Sequence, residues 1–372
     1  SALRANGRSR HHVAAQGIHG APELSLQAPV ASPTITAMES TLQKYRRRIQ
    51  DGTINPVRHW DGRTSGVLID ADDVDTPLTS LSMAAYRLED GPFVISTFDR
   101  EYVAVPIDAK FEITASNRTF KGERWGGPFE FLPGEGNACA IYAPPETTLK
   151  LAGKGELVLF STPAAGSRPP SYIPAGKTEN TPRGWGVWYR EVVTLCTPED
   201  MTTRLFVGET YSPPGLWSGT PLHVHDKDDV AGGQSDHEEI YYHLARYPEG
   251  RWGAYGVQLL FDDAGLDKAY MIHHRDAVAI PGAAHPVVAG PSSDMLYVWA
   301  LTGPGAVLRM ADVPEFAYLN IVADLMEQWE EDRPRKPVLS HEFDGAVERY
   351  GLTPAQAEIL RLHLRERGIP VE

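Results

Sequence analysis

Pro221-Leu-His-Val-His-Asp226 and His237-Glu-Glu-Ile-Tyr-Tyr-His243 stand either side of a short polar loop, and Val278-Ala-Ile-Pro-Gly-Ala-Ala-His-Pro-Val287 answers them further along. His223 and His225 are two apart, which in a β-strand puts both rings on one face. In the second stretch, alternation groups Glu239, Tyr241 and His243 on one face and Glu238, Ile240 and Tyr242 on the other. The third stretch reads as a strand, a Pro-Gly turn and a further histidine. Three imidazoles and a carboxylate aimed inward from neighbouring strands make a mixed nitrogen and oxygen site for a divalent transition metal.

Upstream, Trp185-Gly-Val-Trp-Tyr-Arg-Glu-Val-Val-Thr-Leu195 opens the same barrel, and Arg204-Leu-Phe-Val-Gly-Glu-Thr-Tyr211 follows. Residues 66–161 carry short apolar runs spaced by turn residues, including Leu81–Leu88, Gly91–Thr97, Glu101–Pro106, Lys110–Ala115, a run from Phe129, and Gly155–Ser161. Strand count and spacing predict a second β-barrel. No histidine falls between His59 and His223, so that barrel cannot hold an imidazole-rich site. It reads as structural or as an oligomer surface. Residues 166–182, rich in Pro, Gly and Ser, are the expected linker.

After Val313 the period becomes helical. A helix is expected over 316–331, another over 340–350, and a third over 355–367 with Thr353 as N-cap and Pro354 at its first position. His363 is expected on the exposed side of that last helix. Residues 41–49 read as a short basic helix, and residues 1–40 as a disordered tail. The expected domains are thus the tail 1–40, a metal-free barrel 41–165, the linker 166–182, a metal-binding barrel 183–312 and a helical extension 313–372.

The chain has 372 residues and a net charge of −14, which disfavours nucleic acid and anionic membrane as partners. It contains no apolar run long enough for a membrane helix. Two cysteines, Cys139 and Cys196, are too few for a disulfide framework, so a reducing, cytoplasmic setting is expected.

The three metal-site stretches resemble the two motifs of the cupin superfamily: His-x-His, a Glu opening the next strand, and Pro-x-Gly-x-x-His. The resemblance implies the ligands His223, His225, Glu239 and His285. Glu239 is preferred to Glu238 because it directly precedes the apolar part of its strand. With Asp262-Asp263, Asp276-Ala-Val-Ala-Ile-Pro281 and Gly303-Pro304 in order, residues 60–305 resemble the 5-deoxy-glucuronate isomerase family. That resemblance implies an all-β bicupin, two tandem cupin (jelly-roll) barrels with metal only in the second. It implies a homo-oligomeric isomerase of inositol catabolism, acting on a small sugar acid through Mn, Zn or Fe. The C-terminal helices lie beyond the family core and are expected to cover a barrel or a subunit contact.

A divalent ion with three neutral imidazoles and one carboxylate can chelate a carbonyl and its neighbouring hydroxyl and stabilise an enediolate. Tyr241 and His243 share the strand face of Glu239, making them the first acid–base candidates, with Asp226 and Glu238 at the rim. Gln258 stands where the family carries arginine. Arg190 is then left as the cation for a uronate carboxylate. Gln258 and Trp299 are the other substrate-contact candidates. Two further readings stay open: an Fe(II)-dependent cupin oxygenase, favoured by Trp299 and Ala284, and a non-catalytic sugar-binding cupin.

Overall fold

The computed structural model describes residues 41–124, 127–129, 136–332 and 337–372. The tail 1–40 and most of the strand expected from Phe129 lie outside the described residues.

Two antiparallel barrels make up the β-structure, as the bicupin expectation requires. The first sheet runs in the order Gly66–Ile69, Ser82–Arg87, Thr148–Pro163, Arg100–Ala115, Ala140–Ala143, Ser171–Ile173. Its two long strands pair from Arg100 opposite Pro163 to Ala115 opposite Leu149, with a register shift between Pro106 and Asp108. Facing that shift, Gly153 and Gly155 have φ of +141° and +102°, and a Cβ on either would meet the carbonyl oxygen of Lys110 or Asp108 at 2.1 or 1.9 Å. Only glycine lets the ribbon bend there.

The second barrel sets a seven-stranded sheet against a four-stranded one. The larger runs Val57–His59, Asp276–Ile280, Glu238–Arg246, Asp294–Thr302, Phe206–Ser212, Arg190–Cys196, Thr181–Arg183. The smaller runs Trp217–Ser218, Val287–Ala289, Tyr255–Phe261, Asp267–His273. Two segments depart from the sequence boundaries. The strand Val57–His59 pairs with Asp276–Ile280, and Ile49, which ends the helix Thr41–Gln50, is buried in the cluster of Tyr241 and Ile280. The segment expected as the linker supplies Ser171–Ile173 to the first sheet and Thr181–Arg183 to the second.

Alternation along Glu238–Arg246 explains how the barrels join. Ile240, Tyr242 and Leu244 point away from the site into one apolar core with Val103, Val105 and Phe160 of the first barrel. Burying such side chains contributes about 1.5–3 kcal/mol each. Glu238 lies on that same outward face. Its carboxylate accepts from the backbone N–H of Thr79, Ser80 and Leu81 and from the Thr79 hydroxyl, at 2.6–2.9 Å. Glu101 does the same in reverse, accepting from the N–H groups of Thr203, Arg204 and Leu205 and from the Thr203 hydroxyl. The two barrels thus clasp each other by equivalent glutamates.

The C-terminal residues form the helices Tyr318–Asp332, Ser340–Arg349 and Pro354–Glu366. Thr353 caps the last, accepting from the Gln356 N–H. His363 is not on an exposed face: it is 7% exposed and sits edge-on to Trp188. The apolar side of this helix is wider than its sequence period suggested. Among the described residues, no helix is long and apolar enough to cross a membrane.

Candidate metal centre

Four elements converge inside the second barrel. The short strand His223–Val224 pairs with Ala311–Asp312 and carries the first imidazole, with His225 just past its end. Glu239 enters from Glu238–Arg246, and His285 from the turn after Asp276–Ile280. The ligand atoms of His225, Glu239 and His285 all lie within 4.8 Å of one another. The His223 ring stands 5.7 Å from that of His285 and 6.3 Å from that of His225, centre to centre.

The backbone fixes which nitrogen faces inward. Nδ1 of His223, His225 and His285 meets the carbonyl oxygens of Pro221, His237 and Ala283 at 3.0, 2.9 and 2.7 Å. A carbonyl can only accept, so each Nδ1 carries the proton and donates. Each Nε2 is then left to present its lone pair. Nε2 of His225 and His285 comes within 3.3 and 3.0 Å of Glu239 Oε2. Neither is aligned as a hydrogen bond to it, and Glu239 Oε2 and His285 Nε2 are buried and unsatisfied. Lone pairs on buried nitrogen and oxygen converging on one point are costly unless a cation sits between them. The donor set fits a divalent metal, and the backbone carbonyls behind the rings are the orienting partners such a site needs.

The electrostatics of His223 agree. Burial and the neighbouring rings of His285 and His225 depress His223 to about 4, so it stays neutral with a free lone pair. Burial raises the Glu239 carboxyl, but its contacts with His225 and His285 outweigh that and hold it at about 2. For His225, burial pulls downward and the Glu239 carboxylate more than offsets it, leaving the ring above its ordinary value.

The other sequence candidates divide. Tyr241 lies on the Glu239 face, stacked on Tyr297 at 4.3 Å and 5.7 Å from the His285 ring. Burial and the Glu239 charge push its phenol well above the ordinary range, so it stays protonated and acts as a donor. His243 is fully buried, and burial drives it to about 3 although the Gln258 side chain pulls the other way. Such a ring takes up no proton near neutral pH, so His243 is corrected from acid–base candidate to a neutral group behind Tyr241. Gln258 is also corrected. Its Nε2 donates to the His285 carbonyl at 2.6 Å and to that of Pro286 at 3.2 Å, holding the ligand turn and not the substrate. Both rim acids are engaged elsewhere: Glu238 between the barrels, and Asp226 in an ion pair with Arg46. Trp299 does face inward. Its ring lies across Gly208, where a Cβ would meet it at 2.1 Å, and its Nε1 donates to Thr210 Oγ1 at 3.1 Å.

Arg190 reaches the same interior. Its strand register puts it on the face of Val192 and Thr210, and its charge acts on Tyr297 and Tyr241. Its side chain donates to the Trp188 carbonyl at 3.3 Å, and among the described residues no carboxylate pairs with it. Two residues escaped the sequence reading. Tyr297 was accessible, since the alternation that turns Trp299 inward turns Tyr297 inward too. Arg183 was not: it stands directly opposite Arg190 across Thr181–Arg183 and Arg190–Cys196, a pairing only the fold creates.

The sequence model of the KduI/IolB family matches residues 57–319, which spans both barrels and all four candidate ligands. The chain belongs to the KduI/IolB family. Curated relatives include the 5-deoxy-glucuronate isomerase of Geobacillus kaustophilus (strain HTA426), 27% identical over 59% of this chain and 78% of its own length. That of Listeria monocytogenes (strain EGD-e) is 26% identical over 67% of this chain and 91% of its own. Among solved structures, an IolB-like protein from Salmonella typhimurium LT2 superposes with a TM-score of 0.64 at 25% identity, over 72% of this chain and 99% of that one. The KduI/IolB match ends at residue 319, so the three C-terminal helices lie almost wholly beyond it.

Proposed function

We propose that this isomerase of the KduI/IolB family interconverts the aldose and ketose forms of a deoxy-uronate, 5-deoxy-glucuronate or a near relative, with a divalent transition metal held by His223, His225, Glu239 and His285. The observation that carries the reading is the pairing of two unmet needs in one barrel. Lone pairs converge where a cation belongs, and Arg190 faces inward without a carboxylate. A metal there would supply Lewis-acid polarisation of the substrate carbonyl and stabilisation of the enediolate.

The chain's own residues do the rest. Arg190, opposite the like charge of Arg183, presents a planar fork that the substrate carboxylate can satisfy. Like charges facing across a strand pair are unfavourable, and an anion relieves them. Tyr241, kept protonated, donates to the oxygen on which charge develops. Gln258 holds the His285 backbone. Trp299 and Tyr297 pack beside Tyr241 on the inward face.

The test is a metal assay of the purified protein followed by incubation with 5-deoxy-glucuronate, watching isomerisation and oxygen together. Isomerisation without oxygen uptake is expected. Oxygen consumption dependent on Fe(II), with no isomer formed, would replace this reading with a cupin oxygenase. Binding without turnover at full metal occupancy would make the protein a sugar-binding cupin.

A further inference from the structure

Arg190 opens its strand immediately after a tight turn, Gly186–Trp188, and the C-terminal helices hold that turn. Trp188 is 3% exposed and belongs to the helical core with Leu360 and Leu364. The His363 ring stands edge-on to it at 4.5 Å, and the Arg367 guanidinium covers the Trp185 ring at 3.7 Å. The fit is close enough to demand glycine at two positions. At Gly186, φ is +50°, and a Cβ would meet His363 Nδ1 and Glu366 Oε2 at 2.9 Å. At Gly184, φ is +70°, and a Cβ would meet Trp188 Cδ1 at 2.3 Å and Arg190 Nη1 at 2.7 Å. The Arg190 guanidinium is therefore folded against the very turn that the last helix clamps, and it bonds the Trp188 carbonyl.

We infer that the C-terminal helical appendage sets the position of Arg190 through the Trp188–His363 contact, and with it the preference for an acidic over a neutral sugar. The inference rests on the reading of Arg190 given above. Trp188 and His363 are positioning residues that touch no substrate. The helices lie almost wholly beyond the family match, so this control would come from outside the two barrels.

The test uses the full-length, metal-loaded protein and two probes of one shape, D-glucuronate and its uncharged amide, with binding read by calorimetry. Displacing a binding group by about 1 Å costs up to about a hundredfold, so His363→Ala should weaken D-glucuronate by about tenfold. The amide and the metal content should not change. Trp188→Phe should show the same selective loss. His363→Phe, which keeps an aromatic edge against Trp188, should restore binding. In an Arg190→Met background, His363→Ala should have no further effect, because the two act through one group. Equal weakening of both probes, or an additive effect in the double variant, overturns the inference. If Arg190→Met weakens D-glucuronate and His363→Ala does not, the inference alone falls. If Arg190→Met leaves D-glucuronate binding intact, the carboxylate reading of Arg190 falls and takes this inference with it.

Discussion

Glu238 and Glu239 are adjacent in sequence, and their replacements should fail in opposite ways. Glu238 is 3% exposed and accepts four hydrogen bonds from residues 79–81. In Glu238→Ala, the N–H of Thr79, at the exposed edge, can find water. Those of Ser80 and Leu81 lose a charged acceptor, and hydrogen bonds to charged groups contribute about 1.5–3 kcal/mol each. The expected loss is about 3–6 kcal/mol, a fall in Tm of roughly 6–24 °C at about 2–4 °C per kcal/mol. Metal content should not change. Glu239→Gln removes a ligand instead. Disturbing a group behind a metal ligand costs about 10–100-fold in affinity, so loss of the ligand itself should exceed about a hundredfold. Thermal denaturation with metal analysis on both variants decides the matter. If Glu238→Ala sheds the metal while Glu239→Gln keeps it, the strand register is off by one residue, and every inward and outward assignment on Glu238–Arg246 reverses.

Further outcomes are expected. His223→Ala, His225→Ala and His285→Ala should each lose most bound metal and activity while keeping the far-UV spectrum of two intact barrels; full occupancy in any two would remove the site. Arg190→Met should raise KM for a uronate by a few hundredfold or more, since breaking a buried ion pair costs about 3–5 kcal/mol, and leave metal content alone. An unchanged KM would take Arg190 out of the pocket. Metal uptake should weaken as pH falls, because the Glu239 carboxylate holds His225 above its ordinary value and a protonated ring cannot ligate. For the metal-free protein the signs are opposed. The raised His225 adds stability below its unfolded pKa that is lost as pH rises through the folded one. The depressed Glu239 adds stability above its ordinary 4.5 that is lost as pH falls towards about 2. Metal titrations at several pH values measure the uptake, and an affinity that does not change through the imidazole range contradicts the raised His225.

The sequence alone determined the candidate metal stretches and the fold class. His-x-His, the Glu239 strand and the Pro-Gly turn before His285 are local patterns, and a strand period of two settles which side chains share a face without further context. The three C-terminal helices and the Thr353 cap were legible for the same reason, since capping and periodicity are short-range. Tertiary structure decided what depends on distant partners. Glu238 and Glu239 differ because residues 79–81 of the other barrel supply donors to one of them. Gln258 bonds the ligand turn because the His285 carbonyl lies within its reach. His243 is held neutral by complete burial, which no spacing in sequence encodes. Arg183 faces Arg190 through a pairing of strands that flank a turn, and His363 is buried because Trp188 waits for it across 175 residues of chain, where helical period can only say that a side chain lies on some face, not what covers it.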